Sequence, residues 1–186
     1  MRITIRNKSV KNMFILITGG SKSGKSLMAE NIISEYERKK YYIATMEPFT
    51  ADAKEAISRH RKMRRGKGFE TVEKYKDIEE ADIPDGSVVL LECMGNLCAN
   101  EMFSGQYKSD VAEKIVTGIR KLADRQRLMI VVTNQVGEDG ITYADETMEY
   151  IRNLGMINGA LSKYADVVIE SVYGIPVVLK EKRNGE

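Results

Sequence analysis

The sequence predicts an α/β protein: a mostly parallel sheet with helices on both faces and an antiparallel hairpin at its C-terminal edge. Short apolar runs alternate with amphipathic stretches along the chain, the pattern of strands joined by covering helices. The runs are continuous rather than alternating, as strands buried on both faces require. A glycine-rich segment stands between the first run and the first amphipathic stretch, where a strand would turn into a helix.

Phe14-Ile-Leu-Ile-Thr18 reads as the first buried strand. Lys25 to about Arg38 reads as a helix with Leu27, Met28, Ile32 and Ile33 on its apolar side. Tyr41–Ala44 is a second strand and Ala51 to about Arg65 a strongly basic helix. Ser87–Leu91 is a strand, Ser109–Arg125 a helix and Leu128–Val132 a strand. Ala144 to about Lys163 is helical with one interruption, at Gly155, and its Tyr and Met residues are read as core. Val167–Ile169 and Pro176–Leu179 close the chain as strands, near enough across Tyr173-Gly174 to form the edge hairpin.

At about 150 residues per domain, 186 residues make one domain, assigned to residues 13–186, with residues 1–12 as an N-terminal extension. Lys plus Arg number 29 against 27 Asp plus Glu, a net charge of +2, and 42% of residues are hydrophobic. That balance excludes a largely disordered chain and argues against a nucleic-acid coat. No apolar run approaches the ~20 residues of a bilayer span, and the N-terminus carries no signal-type stretch. Cys93 and Cys98 cannot by themselves build a disulfide framework or a four-ligand zinc site, and are read as buried apolar-like residues. The expected location is the cytoplasm.

Gly19-Gly20-Ser21-Lys22-Ser23-Gly24-Lys25-Ser26 matches G-x-x-x-x-G-K-[ST] between a strand and a helix. Glycines let successive N–H groups turn inward onto phosphate oxygens, and the helix N-terminus adds its dipole. Lys25 is expected on the β- and γ-phosphates and Ser26 on Mg²⁺. Such a loop needs an acid at the end of a neighbouring strand, and Glu92 follows Val88-Val-Leu-Leu91 directly. Arg59-His60-Arg61-Lys62-Met63-Arg64-Arg65 is the densest charge cluster and holds the only histidine. On a helix His60 and Arg64 share a face, as do Arg61 and Arg64. Two guanidinium groups and an imidazole can then converge on one polyanion. Clustered cations disfavour a further positive charge, and a neutral imidazole nitrogen is a competent nucleophile for phosphorus. A solvated basic face or a nucleic-acid patch is the alternative for this helix.

The ordered set of motifs resembles the bifunctional adenosylcobinamide kinase/adenosylcobinamide-phosphate guanylyltransferases of cobalamin biosynthesis. It runs from Ile17-Thr-Gly-Gly-Ser-Lys-Ser-Gly-Lys-Ser26 through Tyr42-Ile-Ala-Thr45, Ile57-Ser-Arg-His-Arg61 and Phe69-Glu-Thr-Val-Glu73. Leu90-Leu-Glu-Cys93, Val132-Thr-Asn-Gln-Val-Gly137, Tyr164-Ala-Asp-Val-Val168 and Gly174-Ile-Pro-Val-Val-Leu-Lys180 complete it. The resemblance implies a RecA-like P-loop NTPase fold, often assembled as a trimer, hence a homo-oligomer. It implies phosphorylation of adenosylcobinamide by ATP or GTP, then GMP transfer from GTP to adenosylcobinamide-phosphate through a covalent intermediate on His60. It further implies nucleotide contacts by Ala44, Thr45 and Met46, by Arg61, Lys62, Met63 and Arg64, and by Glu73 and Glu92, with Mg²⁺ on Ser26 and Glu92. The chain departs from the family's usual pattern at Gln135, where Glu is common, and across Gly155-Met-Ile-Asn-Gly159. A P-loop kinase without the guanylyltransferase step and a nucleotide-dependent nucleic-acid-binding protein are the alternatives these features leave.

Overall fold

A computed structural model describes residues 12–103 and 110–182. The proposed extension therefore lies outside the described residues, apart from Asn12. Seven strands form one sheet: β1 Met13–Thr18, β2 Lys40–Ala44, β3 Phe69–Glu73, β4 Val88–Glu92, β5 Leu128–Val132, β6 Val167–Val172 and β7 Ile175–Glu181. Their order is β3-β2-β4-β5-β1-β6-β7. All neighbours pair in parallel except β6 and β7, which form the antiparallel edge hairpin across Tyr173 and Gly174. The helices are α1 Lys25–Ser34, α2 Ala51–Arg64, α3 Met94–Met102, α4 Val111–Ala123 and α5 Asp145–Tyr164, with a 3-10 turn at Ile78–Glu80.

The period of two along each strand divides the core into two layers. Phe14, Leu16, Ile43, Leu91 and Val131 face one side, with Leu97 of α3, Ile115 and Ile119 of α4, and Leu154 and Ile157 of α5. Ile15, Ile17, Tyr42, Leu90, Ile130 and Val132 face the other, where Met28, Ala29, Ile32 and Ile33 of α1 cover them. Burial of both layers removes the continuous apolar runs from water, which is the dominant favourable contribution to the fold.

Several expectations need correction. α1 stops at Ser34 instead of about Arg38, with Glu35 as its C-cap. α5 is continuous through Gly155, whose missing side chain faces open space, so the glycine lowers helix propensity without breaking the hydrogen-bond ladder. Met148 and Met156 of α5 are exposed, while Tyr150 and Tyr164 pack against the core. β3 and α3 are additions to the elements read from the sequence.

Candidate active site

The carboxyl ends of β1, β2, β4 and β5 meet at one edge of the sheet, where open parallel sheets bind their ligands. Register places Ala44 beside Glu92 and Glu92 beside Val132, so three neighbouring strands end in one row. All three residues line a cavity of about 640 Å³. Period two puts Glu92 on the same face as Leu90 and Tyr42, the face that α1 covers. The carboxylate therefore meets the start of α1, where the Ser26 hydroxyl donates to Glu92 Oε1.

The loop between β1 and α1 is bent by left-handed backbone at Lys22 and Gly24, with Gly24 as the N-cap of α1. It is seated on the β6–β7 hairpin: Ser23 O accepts from Ser171 Oγ at 2.7 Å and from Gly174 N at 2.8 Å. Lys25 is buried, and its Nζ donates to Gly19 O at 2.8 Å and Gly20 O at 2.6 Å. Burial pushes the Lys25 ammonium below its ordinary range, against the opposing pull of Cys93 and Glu92.

Helix α2 forms the opposite wall. Thr50 caps its start by accepting from Ala53 N at 3.1 Å, and an ion pair from Lys67 to buried Glu30 ties the segment after it to α1. His60 Nδ1 lies 3.6 Å from Glu92 Oε2, longer than a hydrogen bond. Tyr42 donates to the same oxygen at 3.0 Å. Burial pushes the Glu92 carboxyl up, but His60, Ser26 and Tyr42 together pull it down further, below the ordinary carboxylate range. Arg64 is buried with its Cζ 3.3 Å from the centre of the Tyr42 ring. Arg61 pairs with Glu73, which also accepts from Tyr75 at 2.9 Å. One carboxylate, Glu92, thus touches the phosphate loop on one oxygen and the imidazole's side of the cavity on the other. Its oxygens and the Ser26 hydroxyl are hard donors of the kind Mg²⁺ takes beside substrate phosphates. Among the described residues no group of three or more His, Cys, Asp or Glu could hold a metal by itself.

The family model described as cobinamide kinase / cobinamide phosphate guanyltransferase matches residues 15–179. The chain belongs to this family. It is 34% identical over 184 residues to the bifunctional adenosylcobalamin biosynthesis protein CobU of Escherichia coli K12, covering 90% of this chain and all of that one. Identity is 29% to the Salmonella typhimurium protein of the same name, with the same coverage. It is 25% to bifunctional adenosylcobalamin biosynthesis protein CobP of Pseudomonas aeruginosa, covering 89% of this chain and 96% of that one. The fold is shared with a solved ATPase domain, at a TM-score of 0.54 and 11% identity over 94% of this chain and 78% of that one. It is also shared with PH0250 of Pyrococcus horikoshii, at a TM-score of 0.56 and 9% identity over 96% and 92%.

In this member of the cobinamide kinase / guanyltransferase family, the cavity brings together Ser21 to Ser26, Ala44, Met46, His60, Arg61, Arg64, Glu73 and Glu92. Gly19 and Gly20 present their carbonyls to Lys25 rather than lining it. Thr45 does not reach it either: its side chain is fully buried and donates to Cys93 O at 2.8 Å. Thr45 directly follows β2 and its N–H still bonds Glu92 O of β4 at 3.3 Å, so the strand's alternation carries over and turns it to the opposite face from Ala44. Lys62 faces a separate groove with Lys54, Ser58, Arg65 and Tyr75, because two residues along a helix is more than half a turn from His60. The Met63 side chain lies outside the described ones. Cys93 is not simply a core residue: it lines the cavity, as do Tyr42, Asn96 and Asn134, to none of which the sequence reading gave a role. Gln135 donates to Glu170 at 3.1 Å and does not line the cavity, and Asn158 joins Thr133 at 2.7 Å and Asn134 O at 3.2 Å.

Proposed function

We propose that this chain phosphorylates adenosylcobinamide with ATP or GTP and then transfers GMP from GTP to adenosylcobinamide-phosphate. The carrying observation is the single cavity lined by both the phosphate loop and His60, with Glu92 between them. In the first reaction the loop and Lys25 hold the β- and γ-phosphates, and Lys25 meets the charge that develops on transfer. Ser26 and Glu92 would hold Mg²⁺, which neutralises phosphate charge when bound. In the second, His60 Nε2 attacks the α-phosphorus of GTP; a P–N bond forms as the P–O bond to pyrophosphate breaks. The proton stays on Nδ1, and the positive charge that grows on the ring faces Glu92 Oε2. An oxygen of the acceptor's phosphate then attacks the same phosphorus, the P–N bond breaks, and the imidazole returns neutral. Arg61 and Arg64 line the side from which the pyrophosphate charge is balanced.

The departure at Gln135 supports retention of both steps, because its amide is engaged by Glu170 away from the cavity. A glutamate there would face a second carboxylate. The basic face of α2 is read as a nucleotide wall, not a nucleic-acid surface. No helix among the described residues is long and apolar enough to cross a membrane. The enzyme's need for ATP and GTP favours the cytoplasm, where both are at hand. Self-association fits the β7 edge of the sheet, where Ile175, Val178 and Leu179 are exposed. Incubation with α-labelled GTP and Mg²⁺ tests the reading: labelled protein, discharged by adenosylcobinamide-phosphate, is expected, and its absence beside kinase activity leaves a kinase alone.

A further inference from the structure

Tyr42 opens one of the motifs above without a role of its own, yet it touches both halves of the site. It sits in β2 two residues before Ala44, and its side chain is 3% exposed. Its ring packs edge-on against Phe69 of β3, with centroids 6.4 Å apart. Its hydroxyl donates to Glu92 Oε2 at 3.0 Å, the oxygen that faces His60 Nδ1. Its ring face carries the Arg64 guanidinium at 3.3 Å. Arg64 is 6% exposed, and its buried Nη1 has no hydrogen-bond partner among the described residues. A buried guanidinium nitrogen without an acceptor is costly unless a ligand supplies one. Tyr42, Arg64, Glu92 and His60 all line the same cavity.

We propose that Tyr42 is a positioning residue for transfer of GMP to His60. Its hydroxyl holds Glu92 toward the imidazole, and its ring holds Arg64 where a nucleotide phosphate can reach Nη1. The proposal rests on His60 as the nucleophile. When the P–N bond forms, positive charge grows on a ring whose Nδ1 already faces Glu92 Oε2. The phosphate loop's own donor to this carboxylate, Ser26, uses the other oxygen, Oε1. Loss of the phenol hydroxyl therefore frees the edge of the carboxylate that His60 uses and leaves the edge Ser26 uses in place. Burial and the adjacent Glu92 push the Tyr42 phenol far above its ordinary range, so it remains a donor at any working pH. The ring half of the role is separate: an arginine stacked on an aromatic face is held without using its donors.

The test uses full-length Tyr42→Phe and Tyr42→Leu with α-labelled GTP, measuring the rate of protein labelling against GTP concentration. Tyr42→Phe keeps the ring in the core and loses one buried hydrogen bond, so it should fold and melt cooperatively, a few degrees below wild type. Its maximal labelling rate should fall about tenfold or more, as for loss of a partner that orients a reactive imidazole. Its half-saturating GTP should stay within about twofold, since Arg64 keeps its ring. Tyr42→Leu should also raise half-saturating GTP about tenfold, the loss of one charge-assisted phosphate contact. Wild-type maximal labelling by Tyr42→Phe, or a rise in its half-saturating GTP equal to that of Tyr42→Leu, overturns the proposal. If wild type takes no label, the covalent reading fails instead, and direct GTP binding decides the Tyr42 role. Tyr42→Leu must then bind about tenfold more weakly than Tyr42→Phe, and equal affinities overturn it.

Discussion

Gly19→Ala should destabilise the protein and loosen the phosphate loop, while Gly20→Ala one residue on should do neither. Gly19 has φ of +139°, a backbone conformation that side chains rarely adopt. A Cβ there would stand 2.6 Å from Ser171 O and 2.9 Å from Ser23 Oγ. The hydroxyl can rotate away, but Ser171 O belongs to β6, which is held by β1 on one side and β7 on the other. Relief would have to come from separation of the loop and the hairpin. That motion breaks the bonds from Ser171 Oγ and Gly174 N to Ser23 O. Backbone strain of about 1–3 kcal/mol and overpacking of about 1–3 kcal/mol give roughly 2–6 kcal/mol together. At about 2–4 °C per kcal/mol for a chain of this length, that is a fall in Tm of roughly 4–24 °C. At Gly20 an added Cβ meets nothing within 4 Å, so its substitution should shift stability by less than about 0.5 kcal/mol. Thermal unfolding followed by circular dichroism, with GTP affinity measured on the same samples, reads both effects. A wild-type melt for Gly19→Ala, or an equal loss in Gly20→Ala, refutes the reasoning.

Two further predictions concern groups in the cavity. Lys25→Ala should lower the rate of phosphoryl transfer to adenosylcobinamide by about 10²-fold or more, with the far-ultraviolet spectrum unchanged; wild-type turnover would remove Lys25 from the reaction. The Glu92 carboxyl is held below its ordinary value in the folded chain. Its ionised form therefore stabilises the fold at pH above the unfolded value of about 4.3, and that contribution fades as pH falls through the folded value. In EDTA, stability should decline less steeply below pH about 4.3 in Glu92→Gln than in wild type. Parallel curves would show that the carboxylate gains nothing from its three neighbours.

Much of this site was legible in the sequence because its parts are local. The phosphate loop, its strand and its helix are contiguous, and Glu92 is marked by the apolar run before it. His60, Arg61 and Arg64 were brought together by helix periodicity alone. The same periodicity turns Lys62 away, and the period of two along β2 and into the residue after it turns Tyr42 toward Glu92 and Thr45 to the opposite face. A motif carried over as a block hides those alternations. β3 is hidden in the sequence because Glu70, Thr71 and Glu73 put polar residues on both faces of an edge strand, leaving neither a continuous apolar run nor a clean alternation. α3 is hidden because Gly95, Asn96 and Asn100 lower its propensity, and its burial against α4 and α5 overrides them. The Tyr42–Arg64 stack and the Gln135–Glu170 bond join residues distant in sequence, and only the sheet's order brings them together.

The central claim is that one cavity serves both reactions and that His60 carries GMP between them. Wild-type protein and His60→Ala, each incubated with Mg²⁺ and α-labelled GTP and then denatured in neutral buffer, test it most directly. Wild type should carry label that is labile in acid and transfers to adenosylcobinamide-phosphate, His60→Ala should carry none, and both should keep kinase activity. Undiminished label on His60→Ala, or an unlabelled wild type that still forms adenosylcobinamide-GDP, would contradict it.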